Sequence, residues 1–228
     1  MTTDAPPPPP QDPQEPTLAW ESPGTSMTSA LGDTVKGFVT SPGNTFRKIP
    51  VNSEFLRPLL YAIILGWIGS WAEYIWSLLT SGVTEGLMGG GGGEADMGGM
   101  AVMGAMGIWF AIFAPLMTTV IMFVGSGITH LVLMLVASDN RGYWGTFKVL
   151  CYAGGTASLA SLIPLCGSYA GGIWDIVLAI IGLAAVHRIS QGKAALAVLL
   201  PVVLFCACIG VAAAIFGTAM MAALGGGN

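Results

Sequence analysis

Five stretches of the chain are almost wholly apolar, and short polar segments separate them. The first, "PLLYAIILGWIGSWAEYIWSLL", begins at Pro58 and carries through to Trp76 or Leu79. The second covers 107–137, the third about 146–165, the fourth about 169–186 and the fifth about 195–217. Each approaches or exceeds the roughly 20 residues a helix needs to cross a bilayer. The second is too long for one straight crossing, so Pro115 is expected to divide it. On that reading 115–137 is the span, and 101–114 either lies in the interface or caps the bundle. The pattern predicts an all-α, polytopic membrane protein with a five-helix transmembrane bundle. A β-barrel would need alternating strands of about ten residues, which these continuous runs contradict.

Ahead of the first span the period changes. Leu31, Val35, Phe38 and Val39 recur at i, i+4, i+7 and i+8, which is one face of a helix. Ser41 then suits an N-cap and Pro42 a first helical residue. Residues 28–56 are therefore expected to form amphipathic interfacial helices, with Phe46 and Ile49 entering the bilayer while Arg47 and Lys48 meet anionic headgroups. The alternative is a short helix packed under the bundle. Residues 1–27 form a different zone. Eight of the 14 prolines fall in the first 23 positions, together with Asp4, Asp12, Glu15 and Glu21. Such a segment is expected to be a disordered tail of polyproline II character. It has neither the basic start nor the apolar stretch of a signal peptide. Residues 57–217 make the transmembrane domain and 218–228 a short tail.

Composition strengthens the membrane reading. The chain is 54% hydrophobic and 9% charged, against about 25% charged in a typical soluble domain. Charge then sets the orientation. Lys36, Arg47, Lys48 and Arg57 precede the first span, Arg141 and Lys148 bracket the second connection, and Arg188 and Lys193 sit in the fourth. With five crossings, all eight basic residues fall on one side. The other side holds Glu85, Glu94 and Asp96. The positive-inside rule places the N-terminus in the cytoplasm and the C-terminus outside. An even number of spans would break this partition. No basic patch is dense enough to read nucleic acid.

Ionisable residues inside apolar spans are candidates for function. Three occur here: Glu73, Asp175 and His130. Glu73 lies roughly 22 Å along the first span, and Asp175 roughly 9 Å down from the outer end of the fourth, so the two carboxylates share a level. Gly66, Gly69, Ser70, Glu73 and Ser77 form one small-residue stripe, and Gly171, Asp175, Ala179 and Gly182 another. Such stripes let helices approach closely, which points both acids into the bundle. With no cation on that side, they are expected to share a proton or a cation. The competing account is structural: Trp71, Tyr74, Trp76, Tyr169 and Trp174 fit an interfacial aromatic belt, where carboxylates reach water. His130 lies toward the other end, away from the acids, and is expected to bond a backbone carbonyl or a Ser/Thr hydroxyl.

Catalytic motifs are absent from this reading. The glycine run at 89–93 lacks the Gly-Lys-Ser/Thr of a phosphate loop and reads as a linker. Cys151, Cys166, Cys206 and Cys208 form no Cys-x-x-Cys pair or Cys/His cluster. No catalytic, cofactor or metal site is expected.

Three segments in order carry a resemblance: "SPGNTFRKIP…RPLLYAII", "THLVLMLVASDNRGYWGTFKVLCYAGGTASLASLIPLCG" and "IWDIVLAIIGLAAVHRISQGKAALAVLLP". Together they resemble the Yip family of small membrane proteins, named for interaction with Rab-type GTPases, and its prokaryotic branch, over about 41–217. Where members often carry a proline after the tyrosine of the third span, Gly154 and Gly155 stand here. The resemblance implies five spans, a cytoplasmic N-terminus and a role in membrane organisation or trafficking. A cytoplasmic protein partner, and a GTPase in particular, is implied by the resemblance alone. Two readings stand beside each other: a non-enzymatic organiser or recruiter of partners, and a small ion- or proton-coupled transporter using Glu73 and Asp175. A membrane-embedded enzyme comes last, for want of a nucleophile and base.

Overall fold

The structure, a computed structural model, describes residues 18–22, 24–50, 54–87, 97–138 and 140–225, with the side chains of 81–104 and 219–225 excluded. The described residues are helical, with no strand among them. Two short helices, α1 (Met27–Thr40) and α2 (Pro42–Arg47), precede five longer ones: α3 (Leu56–Leu87), α4 (Met97–Val136), α5 (Tyr143–Ser158), α6 (Gly167–His187) and α7 (Gln191–Gly225). A 3-10 turn, Leu159–Leu162, extends α5, and another, Ala19–Glu21, comes before α1.

Four helices are long and apolar enough to cross a bilayer: α3, α4, α6 and α7, over Leu56–Thr80, Ala105–Val136, Gly167–His187 and Gln191–Thr218. The third expected span corresponds to α5, which is shorter and less apolar. Its position explains its composition. Residues 145–149, 151–153 and 155–157 are buried among α3, α4 and α6. A helix screened by its neighbours needs no apolar coat of its own, so its hydropathy falls below that of lipid-facing helices.

The five helices run alternately up and down. Phe55, at the start of α3, stacks on Trp144 at the start of α5 (5.3 Å), and Phe123 of α4 packs on Phe147 of α5 (4.7 Å). Farther along, Gly155 lies against the Tyr61 ring and Gly69 against the Ser158 carbonyl. The starts of α3, α5 and α7 thus share an end with the finishes of α4 and α6.

Pro115 does not divide the second apolar region, contrary to expectation: α4 runs unbroken through it. A proline inside a helix lacks the N–H that would bond the carbonyl four residues back. That carbonyl belongs to Ala111, and the Trp67 indole Nε1 donates to it at 3.0 Å. A neighbouring helix supplies the missing donor, so the helix need not stop.

The amphipathic segment also departs from expectation. Phe46 is fully buried and Ile49 nearly so, in protein rather than lipid. On α1, Ala30, Thr34 and Phe38 face inward, and Phe38 packs against Phe46 (4.7 Å) and Tyr152 (5.4 Å). Gly182 of α6 makes room for this: a Cβ there would sit 2.7 Å from the Phe46 ring and 2.6 Å from Val149. Part of the expected tail is likewise ordered. Residues 18–22 dock on the bundle with Leu18 and Trp20 buried; 1–17 lie outside the described residues. An indole able to hydrogen-bond, and a carboxylate matched to a buried ammonium, outweigh the proline-rich context. Trp20 receives a bond from Arg57 Nη1 on its carbonyl (3.1 Å) and donates its Nε1 to the Arg57 carbonyl (2.6 Å).

Candidate functional site

Polar side chains gather in four places among the described residues. The first holds the two acids. Glu73 on α3 accepts from Ser161 Oγ at 2.8 Å. It lines a cavity of about 280 Å³ that Asp175 of α6 also lines, walled by Thr118, Gly154 and Ser158. Gly154, whose Cβ position would lie 3.8 Å from Asp175 Oδ1, keeps that wall low. Glu73 is exposed and Asp175 half-buried. Asp175 also borders an apolar cleft of about 550 Å³ between α4, α6 and α7, lined by Ile128, Pro201 and Phe205.

The second place joins His130 to His187. The Arg141 backbone N–H donates to His187 Nδ1 at 3.0 Å, which puts the proton of that neutral ring on Nε2. Nε2–H then donates to Thr146 Oγ1 at 3.0 Å, and the Thr146 hydroxyl donates to His130 Nδ1 at 2.9 Å. One backbone donor therefore sets the direction of the whole chain. It ties the ends of α4 and α6 to the start of α5. His130 lines neither of the two cavities that Asp175 borders.

The third is an ion pair inside the protein. Lys148 Nζ donates to Glu21 Oε2 at 3.3 Å and to the Pro50 carbonyl at 2.9 Å; Tyr152 OH donates to Glu21 Oε1 at 2.7 Å. The Lys148 side chain is 0% exposed and that of Glu21 4%. Lys148 is thus enclosed in protein rather than free at the end of the bundle. It holds the docked 18–22 segment.

The fourth is a cavity of about 620 Å³ at the end of the bundle, between 137–141 and 187–193, lined by Arg141, Arg188 and Lys193. Arg47 and Lys48 lie at the end of α2, which packs on α6. Arg57 pairs loosely with Glu54 at 3.9 Å.

Sequence reasoning passed over His187, Thr146 and Glu21. His187 had a signal, being one of two histidines in the chain. Glu21 had none, since it sits among prolines 127 residues from its partner. The described residues contain no group of three or more His, Cys, Asp or Glu placed to hold a metal ion.

Comparison with known families gives one match: the family model for the Yip1 domain aligns with residues 36–222. No curated protein and no solved structure matches the chain.

Proposed function

The chain belongs to the Yip1-domain family of membrane proteins, and from that premise we propose that it is a non-enzymatic, five-span protein that organises the membrane or recruits a cytoplasmic partner at its basic end. The fifth crossing in this reading is α5 with its 3-10 turn. Sixteen α-helical and four 3-10 residues extend roughly 32 Å, about the thickness of the hydrocarbon layer. The observation that carries the reading is the gathering of Arg57, Arg141, Arg188 and Lys193 where the starts of α3, α5 and α7 meet the finishes of α4 and α6. The positive-inside rule makes that end cytoplasmic. The family name suggests a Rab-type GTPase as one class of partner.

Orientation is tested by placing a cysteine at Gln191 and adding a membrane-impermeant maleimide. The expected result is labelling only after the membrane is opened; labelling in intact cells means that the orientation is inverted or the spans are miscounted. Recruitment is tested by cross-linking in cells. Charge reversal at Arg47 and Lys48 should reduce recovery of a cytoplasmic partner by roughly tenfold, and unchanged recovery removes α2 from the docking face.

A second reading, a proton- or cation-coupled carrier, is favoured by one observation: a single cavity reaches both Glu73 and Asp175. In proteoliposomes the Glu73→Gln, Asp175→Asn pair should abolish any flux the native chain supports. Flux equal to native in that pair eliminates the carrier reading.

A further inference from the structure

We propose that α4, α6 and α7 form a binding site for a single-chain amphiphile with an ammonium head, Asp175 receiving the head and the apolar cleft beside it the tail. Two spaces meet at Asp175. The smaller, about 280 Å³, reaches toward the start of α6 and is lined by Ser168, Gly171, Glu73 and Ser158. The larger, about 550 Å³, reaches toward the end of α6, past Ile176 and Ala179. Ile121, Met122 and Asp175 border both. The walls therefore change from polar to apolar at one carboxylate and along one helix, as the surface of an amphiphile does.

Charge sets the head. All eight Lys and Arg of the chain are among the described residues, and none lines either space; neither histidine does. Glu73 has a partner in Ser161. Asp175 has no hydrogen bond or ion pair among the described residues. A carboxylate drawn away from water is costly until a donor or counter-charge reaches it, and an ammonium brings both, with three N–H donors and a positive charge. A phosphate-bearing lipid head would set its negative charge beside two acids, which disfavours it.

The cleft sets the tail. Thr129 and Asp175 are its only polar side chains among the described lining residues. Its volume falls in the range of small-molecule sites. Val120 to Thr129 of α4 line its length, roughly 14 Å along the helix, which suits one dodecyl chain. Val124 and Phe205 are exposed, so the cleft opens sideways on the surface that these helices turn to lipid. α7 is exposed at every residue from 202 to 218, and no other helix of the bundle covers that side. The ligand thus enters from the membrane. Binding here needs no flux, so the site stands or falls apart from the carrier reading that shares Asp175, and apart from recruitment at the basic end.

The test places the full chain in phosphatidylcholine nanodiscs with one of two probes that share a photoreactive tail tip, a dodecylamine or a dodecanol. Cross-links to the cleft residues of 124–129 and 198–202 are mapped by mass spectrometry and normalised to exposed Ile68 of α3, which lines neither space. Ile68 from the start of α3 and Val124 from the finish of α4 are each roughly 18 Å along their helices, so depth in the bilayer is matched. Normalised labelling of the cleft by the amine should exceed that by the alcohol roughly tenfold, the effect of one hydrogen bond to a charged group. Asp175→Asn keeps the shape of the side chain without its charge and should bring the two probes level. Gly125→Leu, at a lining position where a Cβ meets nothing within 4 Å, should lower cleft labelling by both probes, and so tests the tail independently of the head. Equal normalised labelling by amine and alcohol in the native chain overturns the proposal, since the cleft then takes any alkyl chain. An amine preference that survives Asp175→Asn overturns it as well, since the head then lies elsewhere.

Discussion

Replacing Glu21 with alanine is expected to destabilise the folded protein by about 3–5 kcal/mol, read as a lowered thermal unfolding midpoint in detergent. The carboxylate neutralises an ammonium that is 0% exposed and also accepts from the Tyr152 hydroxyl. Taking it away leaves a fully buried ammonium without the carboxylate that now faces it. The penalty arises from half a pair remaining, so removing both halves tests the cause. Glu21→Leu combined with Lys148→Met should recover most of the loss, because apolar side chains of similar volume substitute well for a buried ion pair. Trp20 would then still anchor the segment through its bonds to Arg57 and Thr34. A single-variant midpoint equal to the native one would mean that 18–22 does not dock on the bundle in the membrane.

Phe46→Ala should be comparably severe, about 3–5 kcal/mol. Its ring is fully buried against Phe38 and at the notch left by Gly182. If the ring entered lipid instead, truncation would scarcely alter the unfolding midpoint and would weaken only membrane association. The same measurement thus separates the core position from the interfacial one that amphipathicity suggested. Gly182→Ala approaches the contact from the other side. Its new methyl would stand 2.6 Å from Val149 and 2.7 Å from Phe46, a clash expected to cost about 1–3 kcal/mol. In combination with Phe46→Ala the two losses should sum to less than their separate values, since the shortened side chain leaves room for the methyl.

The misreadings share a cause. Amphipathicity reports that a helix has an apolar face, and it carries no information on whether lipid or protein covers that face. For α1 and α2 the cover is α5 and α6. The local effect of Pro115 is a missing N–H, and its consequence depends on whether another donor stands near the Ala111 carbonyl. Trp67, 44 residues earlier, is such a donor, and nothing in the sequence around 115 announces it. The docking of 18–22 was hidden for the same reason: its counter-charge lies across the chain.

The candidate sites were legible to different degrees. Glu73 and Asp175 stood out because a carboxylate in an apolar run is conspicuous, and their small-residue stripes suggested facing surfaces. The cavity they line adds Ser161 and Thr118, which no spacing rule picks out. The basic residues of 188–193 were conspicuous by their scarcity, but their convergence with Arg141 depends on the turn that His187 fixes.

By itself the sequence determined the class of protein, the four longest apolar helices and the uneven distribution of basic charge. These are local properties. Lipid offers the backbone no hydrogen-bond partners, so a long apolar run must be helical wherever it occurs, and composition alone reveals such a run. Tertiary structure decided which polar groups meet. Lys148 with Glu21, His130 with His187 through Thr146, and Arg141 with Arg188 and Lys193 are pairings of residues remote in the chain. They are selected by how closely helices approach at Gly69, Gly155 and Gly182 and by which faces those approaches bring together. That is a property of the packed bundle as a whole, because a contact between two helices is fixed only once the others have taken their places.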